Sequence, residues 1–238
     1  MTTPRGSDGA IVLARMDSSR YPGKPFAPIA GVPMIEWVTR RLLAAGLSRQ
    51  QVAIATTTRS VDDPLADWSL RQGLALFRGS AEDVADRTLS CATTLGWSAF
   101  ARVNGDSPLI QGDLVLSALT ALDAGEADFV TNLVPRTFPY GVAVEVVSVP
   151  LYAQTLTDAS PADREHVTAH LYRRLPTRTL TLKCPHGDLS KHSLTVDRPE
   201  DRARMEHLLA ATGRPLELVG YWDVLARAPA PNEVGNRP

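Results

Sequence analysis

Arg15, Arg20 and Lys24 stand close together in AIVLARMDSSRYPGK, directly after an apolar run. A run of that kind reads as a buried strand, and a loop at a strand's carboxyl end is where open α/β sheets hold their ligands. Three cations on such a loop suit a polyphosphate. Ser18, Ser19 and Gly23 are small enough for backbone amides to approach phosphate oxygens, and Pro22 restricts the loop. The segment is neither a Walker A loop nor GxGxxG, so a solvated basic loop fits the same residues. Two carboxylates complement it: Asp106 in VNGDSPLI and Asp197 in LTVDRPED, each after an extended run. Magnesium takes one or two carboxylates together with substrate phosphates and water, so such a pair is an adequate ligand set. Ordinary uses fit too. Asp106 lies in a turn with Gly105 and Pro108, and Asp197 stands where a side chain caps the next helix.

The elements that must carry these residues follow from periodicity. Short apolar runs alternate with helix-like segments, the pattern of a largely parallel sheet joined by crossover helices. After the basic loop, Met34 to Ala45 reads as a helix stopped by Gly46, Val52 to Thr56 as a strand, and Leu65 to Gln72 as a helix. Leu74 to Phe77, Phe100 to Val103 and Phe129 to Asn132 read as strands, with helices over Glu82 to Leu95 and Leu114 to Ala124. The second half is less regular. There Val142 to Val147 and Thr179 to Lys183 look extended, Arg164 to Arg174 looks helical, and Pro199 opens a helix to Ala211. This half is expected to cover the open mouth of the sheet.

The 238 residues suit one large α/β domain, expected over 10–225, with flexible tails at 1–9 and at 226–238, where the chain is Pro-rich and polar. A net charge of −1 leaves no broad basic field for nucleic acid, so any anion site must be local. Cys91 and Cys184 make no disulfide framework, the polar start lacks a secretory core, and no apolar run approaches the roughly 20 residues of a membrane span. A cytoplasmic protein without a membrane partner is expected.

ARMDSSRYPGKPFAPIAGVPMIEWVTRR closely resembles the opening of the cytidylyltransferases that make CMP-sugars, including the KDO and acylneuraminate enzymes. Later blocks follow in order: FRGSAEDVADRTLSCA, FARVNGDSPLI, RTFPYGVAVEV, REHVTAHL and LTVDRPED are similar to segments of the family's spore-coat polysaccharide branch. The resemblance runs from about Ala10 to Leu209. It implies a Rossmann-like nucleotide-diphospho-sugar transferase fold, an α/β architecture whose mixed, mostly parallel sheet is flanked by helices. It also implies CTP at the first loop and Mg2+ at Asp106 and Asp197. By the same resemblance Arg15, Ser18, Arg20 and Lys24 hold the triphosphate, and Leu13 and Ala14 lie near the nucleoside. Gly79, Ser80 and Arg87 form a second wall around the cytidine. The implied reaction is attack of an acceptor oxygen on the α-phosphorus with loss of pyrophosphate, in a homodimer, with Arg15, Lys24 and Asp106 carrying the catalysis. A non-catalytic relative that binds nucleotide for regulation is the alternative.

The acceptor block departs from its relatives. Where the family commonly has Tyr-Pro-Asp-Gly-Leu-Asp-Val-Glu, this chain has Phe138-Pro139-Tyr140-Gly141-Val142-Ala143-Val144-Glu145. Two carboxylates that could accept bonds from a polyol are missing, which argues for a different, smaller or more anionic acceptor. The resemblance implies a sugar acid or, as in relatives that attach CMP to phosphonates, a phosphonate. Tyr140, Glu145, Glu165 and His166 are the candidate acceptor contacts. Asp17 replaces a typical glycine inside the phosphate loop, where it repels phosphate unless it faces away or binds metal. His166 and His170 lie one helical turn apart but lack the HExxH order, and Cys184, His186 and His192 match no zinc spacing.

Overall fold

A computed structural model describes residues 8–173, 175–214 and 219–226. Its strands are β1 Asp8–Leu13, β2 Pro28–Ile29, β3 Val32–Pro33, β4 Val52–Thr57, β5 Ala75–Gly79, β6 Ala99–Asn104, β7 Phe129–Thr131, β8 Glu145–Ser148 and β9 Thr179–Thr181. Its α-helices are α1 Met34–Ala44, α2 Asp63–Arg71, α3 Val84–Thr94, α4 Gly112–Asp123, α5 Val149–Leu156, α6 Pro161–Glu165, α7 Ala169–Arg173, α8 Pro199–Ala210 and α9 Tyr221–Leu225. Seven strands form one sheet in the order β5-β4-β1-β6-β8-β7-β9, and β2 pairs with β3 in a separate hairpin. All neighbours in the large sheet are parallel except β8, which runs against both β6 and β7. The sheet is therefore mixed and mostly parallel, as expected.

Central strands are apolar throughout because both faces are covered. Ala10 and Val12 of β1 and Val52 and Ile54 of β4 join the core under α1 and α4, while Ile11, Ala53 and Ala55 join the core under α3 and α5. This alternation is the strand period of two expressed on two buried faces. A third core gathers Trp37, Leu109, Phe138, Val142, Leu194 and Val196 with α8 and α9, and it ties the second half of the chain to the first.

From β1 the chain builds outward through β4 and β5, then returns to β6 on the other side of β1. Loops leaving β1 and β6 therefore part at a topological switch point, the place where doubly wound sheets open a crevice. Leu13 and Asn104 pair at the ends of these strands, and the Gly105 amide donates to the Leu13 carbonyl at 3.0 Å. A Cβ on Gly105 would lie 2.9 Å from the Ala14 Cβ, so glycine is what lets the two loops start so close together.

Several boundaries differ from expectation. Strand β1 begins at Asp8, not Ala10: Asp8 is buried and its carboxylate accepts from the Ser98 hydroxyl and the Ala99 amide, which draws Asp8 and Gly9 into the sheet. The remainder of that expected tail, residues 1–7, and residues 227–238 of the other lie outside the described residues. The helix expected over 164–174 is two short helices, α6 and α7, parted by a turn in which Val167 has φ +58° and the Thr168 amide donates to the His166 carbonyl. Arg174 lies outside the described residues. The extended run at Val142 pairs as a strand only from Glu145, because before it the Asn132 side chain takes the strand partner's place, donating to the Val142 carbonyl and accepting from the Val144 amide. Helices α5 and α9 and the β2–β3 hairpin were not expected.

Candidate active site

A cavity of about 550 Å³ opens at the switch point. The loop after β1 supplies Leu13, Ala14, Arg15, Ser18, Arg20 and Lys24; β6 and its loop supply Arg102, Asn104, Gly105 and Asp106; and Glu165, His166 and Val167 form another wall. Six lining residues are Lys or Arg, against three Asp or Glu, in a chain of net charge −1. Positive charge is concentrated at the loop expected from the sequence to suit an anion.

The loop is held at several points. Buried Asp62 accepts from the Met16 amide at 2.6 Å and from the Thr57 hydroxyl, so the strand after which it lies pins the loop's first turn. The Gly23 amide donates back to the Met16 carbonyl at 2.8 Å and closes the loop. Lys24 follows at the start of a 3₁₀ turn, and its ammonium lies 2.9 Å from Asp106 Oδ2 and 3.4 Å from Asp197 Oδ1. Arg20 meets the same Asp197 oxygen at 3.0 Å. The two aspartates are drawn together through the backbone, because the Val196 amide donates to the Asp106 carbonyl at 3.0 Å. Asp201, at the start of α8, accepts from the amides of Asp197 and Arg198 and orients that turn. Residues far apart in the chain thus converge on one ammonium.

Asp17 is turned to cations. It pairs with Arg59 and lies 3.6 Å from Arg15, so its charge is met beside the loop. Arg87 is almost wholly buried while bordering the cavity. Burial first, and the neighbouring Arg15 charge second, hold its guanidinium below the ordinary arginine value, with Asp62 acting in the opposite sense. Its Nη1 donates to the Ser80 carbonyl, while the Ser80 hydroxyl accepts from the Asp83 amide at 2.9 Å. A Cβ on Gly79 would lie 3.0 Å from the Arg87 Cγ. Gly79 and Ser80 therefore stand behind Arg87 and hold it instead of lining the cavity.

The expected acceptor contacts separate. Glu165 and His166 line the cavity. Tyr140 does not: it is half exposed, beneath the Arg136 guanidinium at 4.2 Å from the ring centre. Glu145 is buried on β8, where its carboxylate accepts from Arg102 Nη1, the Thr168 hydroxyl and the Tyr172 hydroxyl at 2.7, 2.6 and 2.7 Å. Sequence reasoning missed Arg59 and Arg102. A polar residue in the middle of β6, whose other positions are mostly apolar, was the available signal for Arg102; Arg59 in TTTRS carried none. No helix among the described residues is long and apolar enough to cross a membrane.

Residues 9–208 match the family described as Cytidylyltransferase. The chain belongs to the cytidylyltransferase family. It is 28% identical over 211 residues to the spore coat polysaccharide biosynthesis protein SpsF of Bacillus subtilis, covering 85% of this chain and 86% of that protein. It is 31% identical over 220 residues to a 3-deoxy-manno-octulosonate cytidylyltransferase of Azorhizobium caulinodans, covering 84% and 81%. The structure of a cytidylyltransferase from Leptospira borgpetersenii superposes with a TM-score of 0.81 at 27% identity, over 93% of each chain. Membership makes this cytidylyltransferase a CTP-dependent nucleotidyltransferase, and the Rossmann-like sheet is the fold of its relatives.

Proposed function

We propose that the chain transfers CMP from CTP to a small anionic acceptor, a sugar acid or a phosphonate, and releases pyrophosphate with the help of Mg2+. The observation that carries this reading is Lys24 Nζ, seated between Asp106 and Asp197 at the mouth of a cavity otherwise rich in guanidinium groups. Two carboxylates around one cation, beside side chains suited to phosphate, are a donor set that fits magnesium, which keeps several ligands for substrate and water. Asp106 and Asp197 would hold the ion, and when bound it supplies charge neutralisation on phosphate oxygens and acidifies an acceptor hydroxyl.

The residues of the chain do the remainder. Arg15, Ser18 and Arg20 bind the triphosphate, and Lys24 offsets the charge that grows on the leaving pyrophosphate as the acceptor oxygen bonds to the α-phosphorus. The bond from that phosphorus to the bridging oxygen breaks in line with the incoming atom, so no covalent enzyme intermediate is required. Arg87 and the backbone at Leu13 and Ala14 flank the nucleoside. A homodimer is part of this proposal, and light scattering that returns a monomer removes that part.

The test is to incubate the protein with CTP, Mg2+, pyrophosphatase and a panel of sugar acids and phosphonates, following phosphate release and the mass of CMP adducts. Acceptor-dependent phosphate together with an adduct is the expected result. CTP binding without turnover on any acceptor would turn the reading toward a non-catalytic binder.

A further inference from the structure

Arg102 is a cation set apart from those of the phosphate loop. Arg15, Arg59 and Arg87 act on one another, with Asp17 and Asp62 among them, on the β1–β4 side of the sheet. Arg102 belongs to the other side. It shares a face of β6 with Phe100 and Asn104, it lines the cavity, and across the strand pairing it stands opposite Glu145 of β8.

Its hydrogen bonding is incomplete. A guanidinium carries five N–H donors in a planar fork. Here only Nη1 reaches Glu145, at 2.7 Å, while the buried Nε has no partner. A pair joined through one nitrogen leaves the rest of the fork to donate elsewhere, and with the side chain 19% exposed at the cavity it is the outer guanidinium nitrogens, not the buried Nε, that can meet an oxyanion there.

Glu145, by contrast, is fully engaged. Besides Arg102 it accepts from Thr168 and Tyr172, and only 1% of the residue is exposed. Through Thr168 the same carboxylate pins the turn at Val167, a buried β-branched residue held at φ +58° whose carbonyl also accepts from Tyr152. Backbone in that region persists where the surroundings over-determine it. One carboxylate therefore sets the spacing between a cavity-lining guanidinium and the His166–Val167 wall.

We propose that Arg102 receives the oxyanion of the acceptor, with the His166–Val167 turn as the wall that limits its size, and that Glu145 acts through Arg102 as a positioning residue without touching substrate. The inference rests on the cytidylyl-transfer reading of the cavity. It names the acceptor's anionic group, carboxylate or phosphonate, as the feature the site selects.

Calorimetric titration tests it in two stages. The full chain is first titrated with α,β-methylene-CTP and Mg2+; failure to bind there removes the cytidylyl-transfer reading and this inference with it, before any acceptor is added. With the analogue bound, 2-keto-3-deoxyoctonate and 2-hydroxyethylphosphonate are titrated separately, so the two arms report which oxyanion is preferred. Binding of at least one is expected, weakened tenfold or more in Arg102→Gln and partly restored in Arg102→Lys, with affinity for the CTP analogue within twofold of the parent. Because Arg102→Gln strands a buried carboxylate, the R102Q/E145Q double variant serves where the single variant fails to fold. Glu145→Gln alone is expected to weaken the acceptor probe severalfold yet to add nothing once Arg102 is changed, whereas a merely structural role would add. Undiminished probe binding in the Arg102 variants, or no binding of either probe to the parent chain carrying the analogue, overturns the proposal.

Discussion

Lys24 and Asp106 illustrate how little of a side chain's role can be read from its type. An ammonium 2.9 Å from one carboxylate and 3.4 Å from another is a common structural arrangement, and what sets this one apart is the cluster of guanidinium groups around it. If these residues carry transition-state charge, Lys24→Met and Asp106→Asn are each expected to lower kcat/KM for CTP by on the order of 100- to 1000-fold, about 3–4 kcal/mol, measured by pyrophosphate release. Retention of full magnesium-dependent turnover in Asp106→Asn would remove that residue from the proposed metal site. Asp17 works the other way. It occupies Arg59 and Arg15 with a carboxylate against which, on the proposed reading, a triphosphate would compete, across a partly exposed ion pair of modest strength. Asp17→Gly is accordingly expected to tighten CTP binding by about two- to fivefold and to steepen its dependence on salt.

At the scale of elements, the site depends on how closely β1 and β6 end. Gly105→Ala puts a methyl group 2.9 Å from the Ala14 Cβ and 3.1 Å from the Leu13 carbonyl oxygen. The loops must part, at a cost of about 1–3 kcal/mol by analogy with overpacked cores, and denaturant unfolding together with a raised KM for CTP should register both effects. An unchanged midpoint and KM would mean that the loops have room to spare. The first half of the chain was legible because its strands are buried on both faces and its helices end in Gly46, Gly73 or Gly96, each in the left-handed region. The second half hid its structure where a side chain or a strained residue replaced the usual signal. Nothing local announces that Asn132 will stand in for a strand or that Val167 will break a helix without a glycine. Type and position marked the loop cations and both aspartates only as candidates, with a solvated loop, a turn and a helix cap fitting as well; the resemblance singled them out, and the fold brings Arg20, Lys24, Asp106 and Asp197 together. Arg102 and Arg59 were not marked at all, since a lone arginine declares its surroundings only after the sheet order is known. Glu145 was named as an acceptor contact and is instead the buried anchor of Arg102.

Over the whole molecule, stability should report on both protons and nucleotide. Burial first, and Arg164 second, hold His170 below its ordinary value, with its Nε2 2.8 Å from the Thr155 hydroxyl. The unfolded chain therefore takes up this proton more readily, so the group's contribution is intact above about pH 6.5 and declines as pH falls below it. His170→Gln is expected to flatten the loss of Tm between about pH 7 and 5, and an identical slope in both proteins would exclude His170 as its source. CTP with Mg2+ at about 100 times Kd is expected to stabilise the fold by about 2.7 kcal/mol, a rise in Tm of about 5–10 °C that Lys24→Met should shrink. On the proposed reading the bridging ammonium would also set an order of loading. Lys24 balances both aspartates, so a bare divalent ion would meet carboxylates whose charge is already answered, whereas a triphosphate would give the ammonium another anion to join and would free the carboxylates for metal. Magnesium affinity should accordingly be feeble on the protein alone and rise sharply once nucleotide is present, a thermodynamic linkage that metal titrations with and without the CTP analogue can read directly.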